Sequence, residues 1–329
     1  MRAIVQDRFG PPDILQLADT DRPGVGPGQV LVRVRAAALN PYDWHMMRGD
    51  PYVARLTPAV GLTRPRSRVA GIDAAGVVEE VGADVRGLRP GDAVLGFCPG
   101  SFAEYAVTTA DLLVPKPARL TFEQAAAVPV AAVTALRGIQ MVGQTQAGQR
   151  VLVNGAAGGV GTFAVQIAAA LDAEVTAVCS AGNAGLVRSL GAAHVIDYAR
   201  EDFTDGRVRY DVILDNVGNR PLRRLRGALT PAGILVANGG GSPGRVFGAV
   251  GSMLHLAMLN VFVRQQLRVI LPAAPAGPAR EHLLAVTALI EAGRLTPVVE
   301  RTYPLSETAA GVRHVEQGHA RGKAVVTVP

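Results

Sequence analysis

The chain has 329 residues, of which 49% are hydrophobic and 18% charged, with a formal net charge of +6. That length is too great for one small core and argues for two domains, and the balanced composition without a charged tail excludes a disordered or low-complexity protein. Two cysteines far apart, Cys98 and Cys179, exclude a disulfide framework and a cysteine-rich zinc lobe.

The first residues, MRAIVQDRFGPPD, lack the apolar core of a signal peptide, so cytoplasmic residence is expected. The first third reads as β structure. Short aliphatic runs at Ala3–Val5, Ile14–Leu17, Val30–Ala37, Ala74–Val81, Ala93–Phe97 and Phe102–Val107 are separated by Gly/Pro turns such as Pro90-Gly91-Asp92. Many short strands without helical periodicity predict a barrel-like all-β domain. After Pro117 the character changes, and Glu123–Leu136, with Thr121 as N-cap, reads as a helix.

The next stretch, Val151–Leu171, reads strand, glycine turn, helix. Val151–Val153 is an apolar run of the kind buried in a parallel sheet, and Val160, Phe163, Ala164, Ile167, Ala168 and Leu171 recur at helical spacing. Gly155, Gly158, Gly159 and Gly161 lie in the turn, with Ala156 at the first glycine of the G-x-G-x-x-G pattern. Such a turn lets the backbone approach a pyrophosphate, and the helix N-terminus supplies free N–H groups. Many glycine turns bind nothing, so the motif needs its surroundings to carry weight.

Those surroundings alternate. Strands are expected at Glu174–Cys179, His194–Ile196, Val212–Asp215, Ile234–Ala237 and Val269–Leu271, and helices near Leu186–Leu190, Pro221–Leu229 and Gly251–Gln266. The alternation predicts a doubly wound parallel α/β sheet. Val246–Val263 carries no Lys, Arg, Asp or Glu, but its polar residues and its place in the series predict a buried helix or subunit contact, not a membrane span. A helix at Arg280–Glu291, another after a Ser306 cap, and a strand Ala324–Val328 close the chain. A β domain interrupted by a nucleotide-binding sheet predicts a ligand in the cleft between domains. Arginines near Arg55–Arg68 and Arg220–Arg226 suit an anionic cofactor or substrate; the basic balance permits nucleic-acid binding, yet no aromatic-basic motif supports it.

Eight ordered segments carry a resemblance: AAALNPYDWHMMRGDPY (36–52), GIDAAGVVEEVGADVRGLRPGDAVLG (71–96), FAEYAV (102–107), PVAAVTAL (129–136), VLVNGAAGGVG (151–161), LGAAHVIDY (190–198), YDVILDNVG (210–218) and GHARGKAVVTV (318–328). Together they resemble the zinc-independent, quinone oxidoreductase-like branch of the medium-chain dehydrogenase/reductase superfamily, over essentially the whole chain. The resemblance implies an α/β protein with a GroES-like catalytic domain of β-barrel type (1–118, returning at 276–329) and a Rossmann NADP-binding domain (119–275). Where zinc-containing relatives place a cysteine and His-Glu as metal ligands, this chain has Asn40 and Ile72-Asp73, so no metal is expected. His314 and His319 lie five apart with no partner ligand.

The same resemblance implies NADPH as cofactor. Gly158, Gly159, Val160 and Gly161 would cradle the pyrophosphate. Ser180, where NAD-specific sheets carry an acidic residue, cannot repel a 2′-phosphate; Asn183 lies in that loop, and Tyr198 and the Lys323 of a GK pair favour NADPH. Asn40, Thr134, Asn216, Val217, Asn238, Gly239 and Gly240 would hold the nicotinamide end. Without a metal Lewis acid, hydride addition to a quinone or to the activated C=C bond of an α,β-unsaturated carbonyl is easier than alcohol oxidation. Asn40 as amide donor and Tyr42 or Tyr52 as hydroxyl donors are the expected catalytic groups, with Asp43 orienting the loop. An enoyl-thioester or biosynthetic-pathway enoyl reductase is the alternative enzyme, and an NADPH-binding regulatory or RNA-binding protein the alternative from another class. A small-molecule substrate, no nucleic acid and a homodimer complete the expectation.

Overall fold

A computed structural model describes residues 1–56, 60–238, 256, 258–260, 263–270, 278–318 and 320–329. The chain divides into two compact units: Met1–Ala131, Ala273–Ala292 and Pro297–Pro329 form the first, Ala132–Pro272 and Gly293–Thr296 the second. In chain order the elements are β1 (Arg2–Val5), β2 (Gln16–Asp19), β3 (Gln29–Ala38), α1 (Pro41–Arg48), β4 (Asp73–Val81), β5 (Ala93–Phe97), β6 (Tyr105–Thr109), β7 (Leu113–Pro115), α2 (Phe122–Ala126) and α3 (Pro129–Leu136). Then follow β8 (Arg150–Asn154), α4 (Gly159–Ala170), β9 (Glu174–Cys179), α5 (Ala184–Ser189), β10 (His194–Asp197), β11 (Tyr210–Asp215), α6 (Leu222–Gly227), β12 (Leu229–Asn238) and β13 (Gln266–Ile270). The chain closes with α7 (Ala279–Glu291), β14 (Val299–Pro304), α8 (Thr308–Glu316) and β15 (Lys323–Thr327).

The first unit is built on a sheet ordered β14-β15-β3-β4-β5-β7, with β6 also on β3, and β1 and β2 form an antiparallel ribbon. Its core joins Val30, Val32, Val34, Val78, Val94, Phe102 and Leu113 to the returning Ala324, Val326 and Val328. Two registers bring together the polar residues of the first unit. Ala38 faces Asp73 across β3 and β4, and Val325 faces Ala38 across β15 and β3. Continuing that antiparallel register by two residues sets Lys323 opposite Asn40.

The second unit is a six-stranded parallel sheet ordered β10-β9-β8-β11-β12-β13. The chain enters at β8, winds outward to β10, then crosses to β11, so the switch in strand order falls between β8 and β11. Open parallel sheets bind ligands at the carboxyl ends of the strands at such a switch. Val151, Leu152 and Val153 are wholly buried, as their apolar run requires, and α4 buries every residue from Gly161 to Ala168.

Several boundaries depart from the sequence expectation. The predicted helix Glu123–Leu136 is two helices, because Pro129 has no N–H to continue the first; Thr121 does cap it, accepting from Gln124 N at 3.2 Å. Ser306 is not a cap: it lies in a 3-10 turn, Leu305–Glu307, before α8. Ile14 ends another 3-10 turn, Pro12–Ile14, ahead of β2, and the run at Phe102 becomes strand only from Tyr105. Helix α1 was not anticipated. The helix expected near Gly251–Gln266 and the apolar stretch Val246–Val263 lie mostly outside the described residues, among which no helix is long and apolar enough to cross a membrane.

The turn between β8 and α4 explains the missing first glycine of the motif. Gly155, one residue earlier, takes the positive φ of +74°, and Ala156 then needs none. A Cβ at Gly161 would stand 2.1 Å from the Gly155 carbonyl oxygen, so only glycine lets α4 pack against the turn. A Cβ at Gly158 would meet nothing nearer than 3.5 Å, and its backbone is in the ordinary extended region. Gly161→Ala is therefore expected to cost at least about 2 kcal/mol, and Gly158→Ala less than about 1 kcal/mol, in denaturant unfolding. Equal stability of the two variants would contradict this geometry.

Candidate functional site

At the carboxyl end of the parallel sheet, α4 points its first turn outward. The N–H groups of Gly159, Val160 and Gly161 have no acceptor within the helix, and Gly158 leaves the space before them open. Beside this cradle the ends of β8, β11 and β12 are tied by a polar network. Asp215 Oδ1 accepts from Asn154 Nδ2 at 2.8 Å and from the Val217 and Gly218 N–H groups at 3.1 and 2.9 Å. Asn216 Nδ2 donates to the Asn154 carbonyl at 3.0 Å, and Asn238 Nδ2 donates to Asn216 Oδ1 at 2.8 Å. The network fixes the turn Asn216–Gly218 and leaves Val217 exposed. Asn154 and Asp215 were missed in the sequence; two amides and a carboxylate closing adjacent strands were the signal.

Along the same edge, Ser180 and Tyr198 follow β9 and β10, whose paired last residues are Cys179 and Asp197. Asn183 Nδ2 donates to Ser180 Oγ at 3.2 Å, and no acidic residue occupies the Ser180 position. Tyr198 is 48% exposed, so it is not a core aromatic. Thr134 is buried in α3. Gly239 and Gly240 lie outside the described residues. The arginines at Arg220–Arg226 are partly committed: Arg220 and Arg224 both pair with Asp202, at 3.1 and 2.8 Å.

In the first unit a buried polar cluster forms where β3 runs into α1. Asn40 N donates to Asp43 Oδ2 at 2.7 Å and Asp43 N donates to the Asn40 carbonyl at 3.0 Å, a reciprocal cap on α1. The Asn40 side chain is fully engaged. Its Nδ2 donates to Asp73 Oδ2 at 3.0 Å and to the Ala38 carbonyl at 3.3 Å, and its Oδ1 accepts from the Lys323 ammonium. Lys323 also donates to the Leu39 carbonyl at 2.9 Å and lies 3.9 Å from Asp73, whose other oxygen accepts from Val130 N at 3.1 Å.

Two expectations change here. Lys323 is 3% exposed with its ammonium held inside the first unit, so it is not presented to a 2′-phosphate. Asn40, also 3% exposed, has no spare amide N–H for a nicotinamide or a substrate oxygen. Zinc does not fit either. The position of one metal ligand is an amide already bonded to a fixed ammonium, and among the described residues no group of three or more His, Cys, Asp or Glu could hold a metal ion.

Tyr42 is half-buried at the start of α1, its hydroxyl made less acidic by burial and then by the Asp43 charge. Tyr52 is 44% exposed, with the Arg55 guanidinium 4.5 Å from its ring centre. Arg55, Arg64, Arg66 and Arg68 line a cavity of about 750 Å³ with Gln6 and Leu62. Arg55 is braced by the Gly49 and Arg48 carbonyls, and Arg68 pairs with Asp7 at 2.7 Å.

Burial pushes the Asp43 carboxyl up to about 7, with the Asp73 charge adding to it, against the Asn40 N–H and Lys323. Burial likewise raises Asp73 to about 6, against the Lys323 charge, and lowers Lys323. A carboxyl that binds its proton more tightly when folded than at its ordinary 3.8 stabilises the fold most below that value and loses the contribution as pH rises to its folded pKa. Melting temperature should therefore fall between about pH 4 and pH 7 more steeply in the wild type than in Asp43→Asn. Parallel melting profiles for the two proteins would overturn the assignment.

Residues 26–118 match the alcohol dehydrogenase GroES-like domain, and residues 190–326 match the zinc-binding dehydrogenase model. The mouse mitochondrial NAD(P)H oxidoreductase RTN4IP1 is 34% identical, over 100% of this chain and 89% of its own length. The Arabidopsis thaliana NADPH-dependent alkenal/one oxidoreductase of the chloroplast is 32% identical, over 99% of this chain and 79% of its own. The quinone oxidoreductase of Coxiella burnetii superposes with a TM-score of 0.86 at 30% identity, covering 100% of this chain and 99% of that one. Two units with these sheets, a glycine cradle at the strand switch and similarity running from end to end place the chain in the quinone oxidoreductase-like branch of the medium-chain dehydrogenase/reductase superfamily.

Proposed function

We propose that the protein is an NADPH-dependent, metal-free reductase of quinones or of the activated C=C bonds of α,β-unsaturated carbonyls. The observation that carries the reading is Gly158: the fold does not need a glycine there, yet a side chain would fill the space in front of the free N–H groups of α4. The names of similar proteins, an NAD(P)H oxidoreductase and an NADPH-dependent alkenal/one oxidoreductase, support it.

Gly158–Gly161 bind the pyrophosphate in this reading, and the neutral Ser180 with the exposed Tyr198 accommodates the 2′-phosphate. Thr134 and the Asn216–Gly218 turn hold the nicotinamide end, with Asn154 and Asp215 keeping that turn in shape. The bound dinucleotide supplies a hydride. The chain then has to stabilise charge on a carbonyl oxygen while a proton from water completes the product. Tyr42 and Tyr52 orient the acceptor; with its hydroxyl made less acidic, Tyr42 donates a hydrogen bond more readily than a proton. The loop 53–68 with its arginine-lined cavity sets substrate choice. Homodimeric assembly and residence in the cytoplasm belong to the same reading. The family resemblance supports the first, to be checked by light scattering, and two free buried cysteines suit a reducing compartment.

The test is NADPH oxidation against a panel of quinones, enones and enoyl thioesters. Turnover is expected with quinones or enones, with NADPH bound more tightly than NADH by calorimetry. Turnover confined to enoyl thioesters would move the substrate class, and no turnover together with salt-sensitive RNA binding would overturn the enzyme reading. Gly158→Ala should weaken NADPH about tenfold or more while leaving the fold intact, because the pyrophosphate must approach that backbone closely.

A further inference from the structure

Lys323 opens β15 in a run that is otherwise apolar, with Ala324, Val325 and Val326 wholly buried after it. Sheet packing needs no ammonium there, and burying one is costly unless it is paired. The charge is met from three directions. Its Nζ donates to the Leu39 carbonyl and to Asn40 Oδ1, and Asp73 lies 3.9 Å away. Asp43 faces the same group through Asn40, whose N–H it accepts at 2.7 Å. Lys323 thus reaches across 283 positions of sequence to Asn40, the residue that caps the entrance of α1.

We propose that Lys323 is a positioning residue: its ammonium, held by Asp73, is an internal cation that fixes Asn40 and through it the entrance of α1, which carries Tyr42. Two clamps set that entrance. The reciprocal Asn40–Asp43 bonds hold the backbone on either side of Tyr42, and the Lys323–Asn40–Asp73 chain holds the Asn40 side chain. Without the ammonium, Asn40 Oδ1 and the Leu39 carbonyl lose their donor, the amide is held only through its Nδ2 bonds to Asp73 and the Ala38 carbonyl, and the first turn of α1 loosens. No proton or electron moves through Lys323; it acts on the acceptor only through where it keeps Tyr42. The inference rests on the reductase reading for its kinetic consequence, but not for its structural one.

Lys323→Met, Asp73→Asn and the double variant are compared with the wild type in the full chain. With an acceptor found in the panel, Lys323→Met should lower kcat about tenfold to a hundredfold, the loss of one charge-assisted donor, while NADPH and NADH affinities by calorimetry stay within about twofold. Asp73→Asn should move kcat the same way, and the double variant should be no worse than Lys323→Met alone, because the two residues act as one unit. Loss of NADPH affinity with NADH affinity intact would overturn the proposal and assign Lys323 to the 2′-phosphate. A folded Lys323→Met with unchanged kcat would also overturn it. Amide exchange gives a readout independent of any substrate: α1 amides should exchange about tenfold faster in Lys323→Met while those of β3 and β4 do not, and unchanged α1 protection would count against it. Should the wild type reduce nothing in the panel, the reductase reading fails and exchange still decides the positioning role. If Lys323→Met does not fold, the double variant, which removes both charges, takes its place in each measurement.

Discussion

An ammonium group moved from water into a protein core costs several kcal/mol unless charge and hydrogen bonds replace its hydration. In the first unit that demand organises the surroundings of the candidate site. Lys323 is answered by one carbonyl, one amide oxygen and one carboxylate, and each comes from the junction of β3, β4 and α1. The sheet registers that bring Ala38 opposite Asp73 and Val325 opposite Ala38 are therefore also the registers that pair the charges. Slipping β15 by one residue would turn Lys323 to the other face and leave Asp73 and Asn40 unmatched. The polar cluster and the apolar core of the sheet thus specify the same pairing, one by charge and the other by burial.

In the second unit the corresponding constraint is steric. The Gly155 carbonyl oxygen leaves no room for a Cβ at residue 161, and the positive φ at Gly155 starts the turn that brings α4 to that position. These two glycines serve the fold, whereas a Cβ at Gly158 would meet nothing nearer than 3.5 Å. The distinction divides a motif that looks uniform in sequence into positions where packing requires glycine and one where it does not. The asparagine–aspartate network at the ends of β8, β11 and β12 has a comparable division. Asp215 accepts three N–H groups and so spends its charge on shaping the turn, which leaves Val217 free to face outward.

Much of this was legible in the sequence where local physics decides. The strand Glu174–Cys179 matches its expectation at both ends because an apolar run there is bounded by breakers, and the order of strands and helices gave the doubly wound sheet. Helix α1 escaped because PYDWHMMR has no apolar stripe. Its signals were instead at its ends: Asn40 before Pro41, Asp43 three residues on, and Gly49 in the left-handed region. Lys323 was misread for a deeper reason. Next to glycine in a GK pair it reads as an exposed cation, and its burial follows only from β15 lying beside β3, a pairing between residues about 290 apart. The engagement of the Asn40 amide was invisible for the same reason, since both of its partners are remote.

That closed cluster alters how the chemistry is to be thought of. A metal ion would bind a substrate oxygen directly, whereas here the Asn40 amide and the Asp73 carboxylate bind one another. Asn40 is satisfied internally, whereas Tyr52 is 44% exposed and Tyr42 half-buried. Hydroxyls stabilise a delocalised enolate or a quinol anion better than they replace a Lewis acid on an alkoxide, because the charge to be met is already spread over several atoms. Burial raises both carboxyls and lowers the single ammonium, so each shift runs toward the neutral form of its group, the direction that eases burial of the cluster.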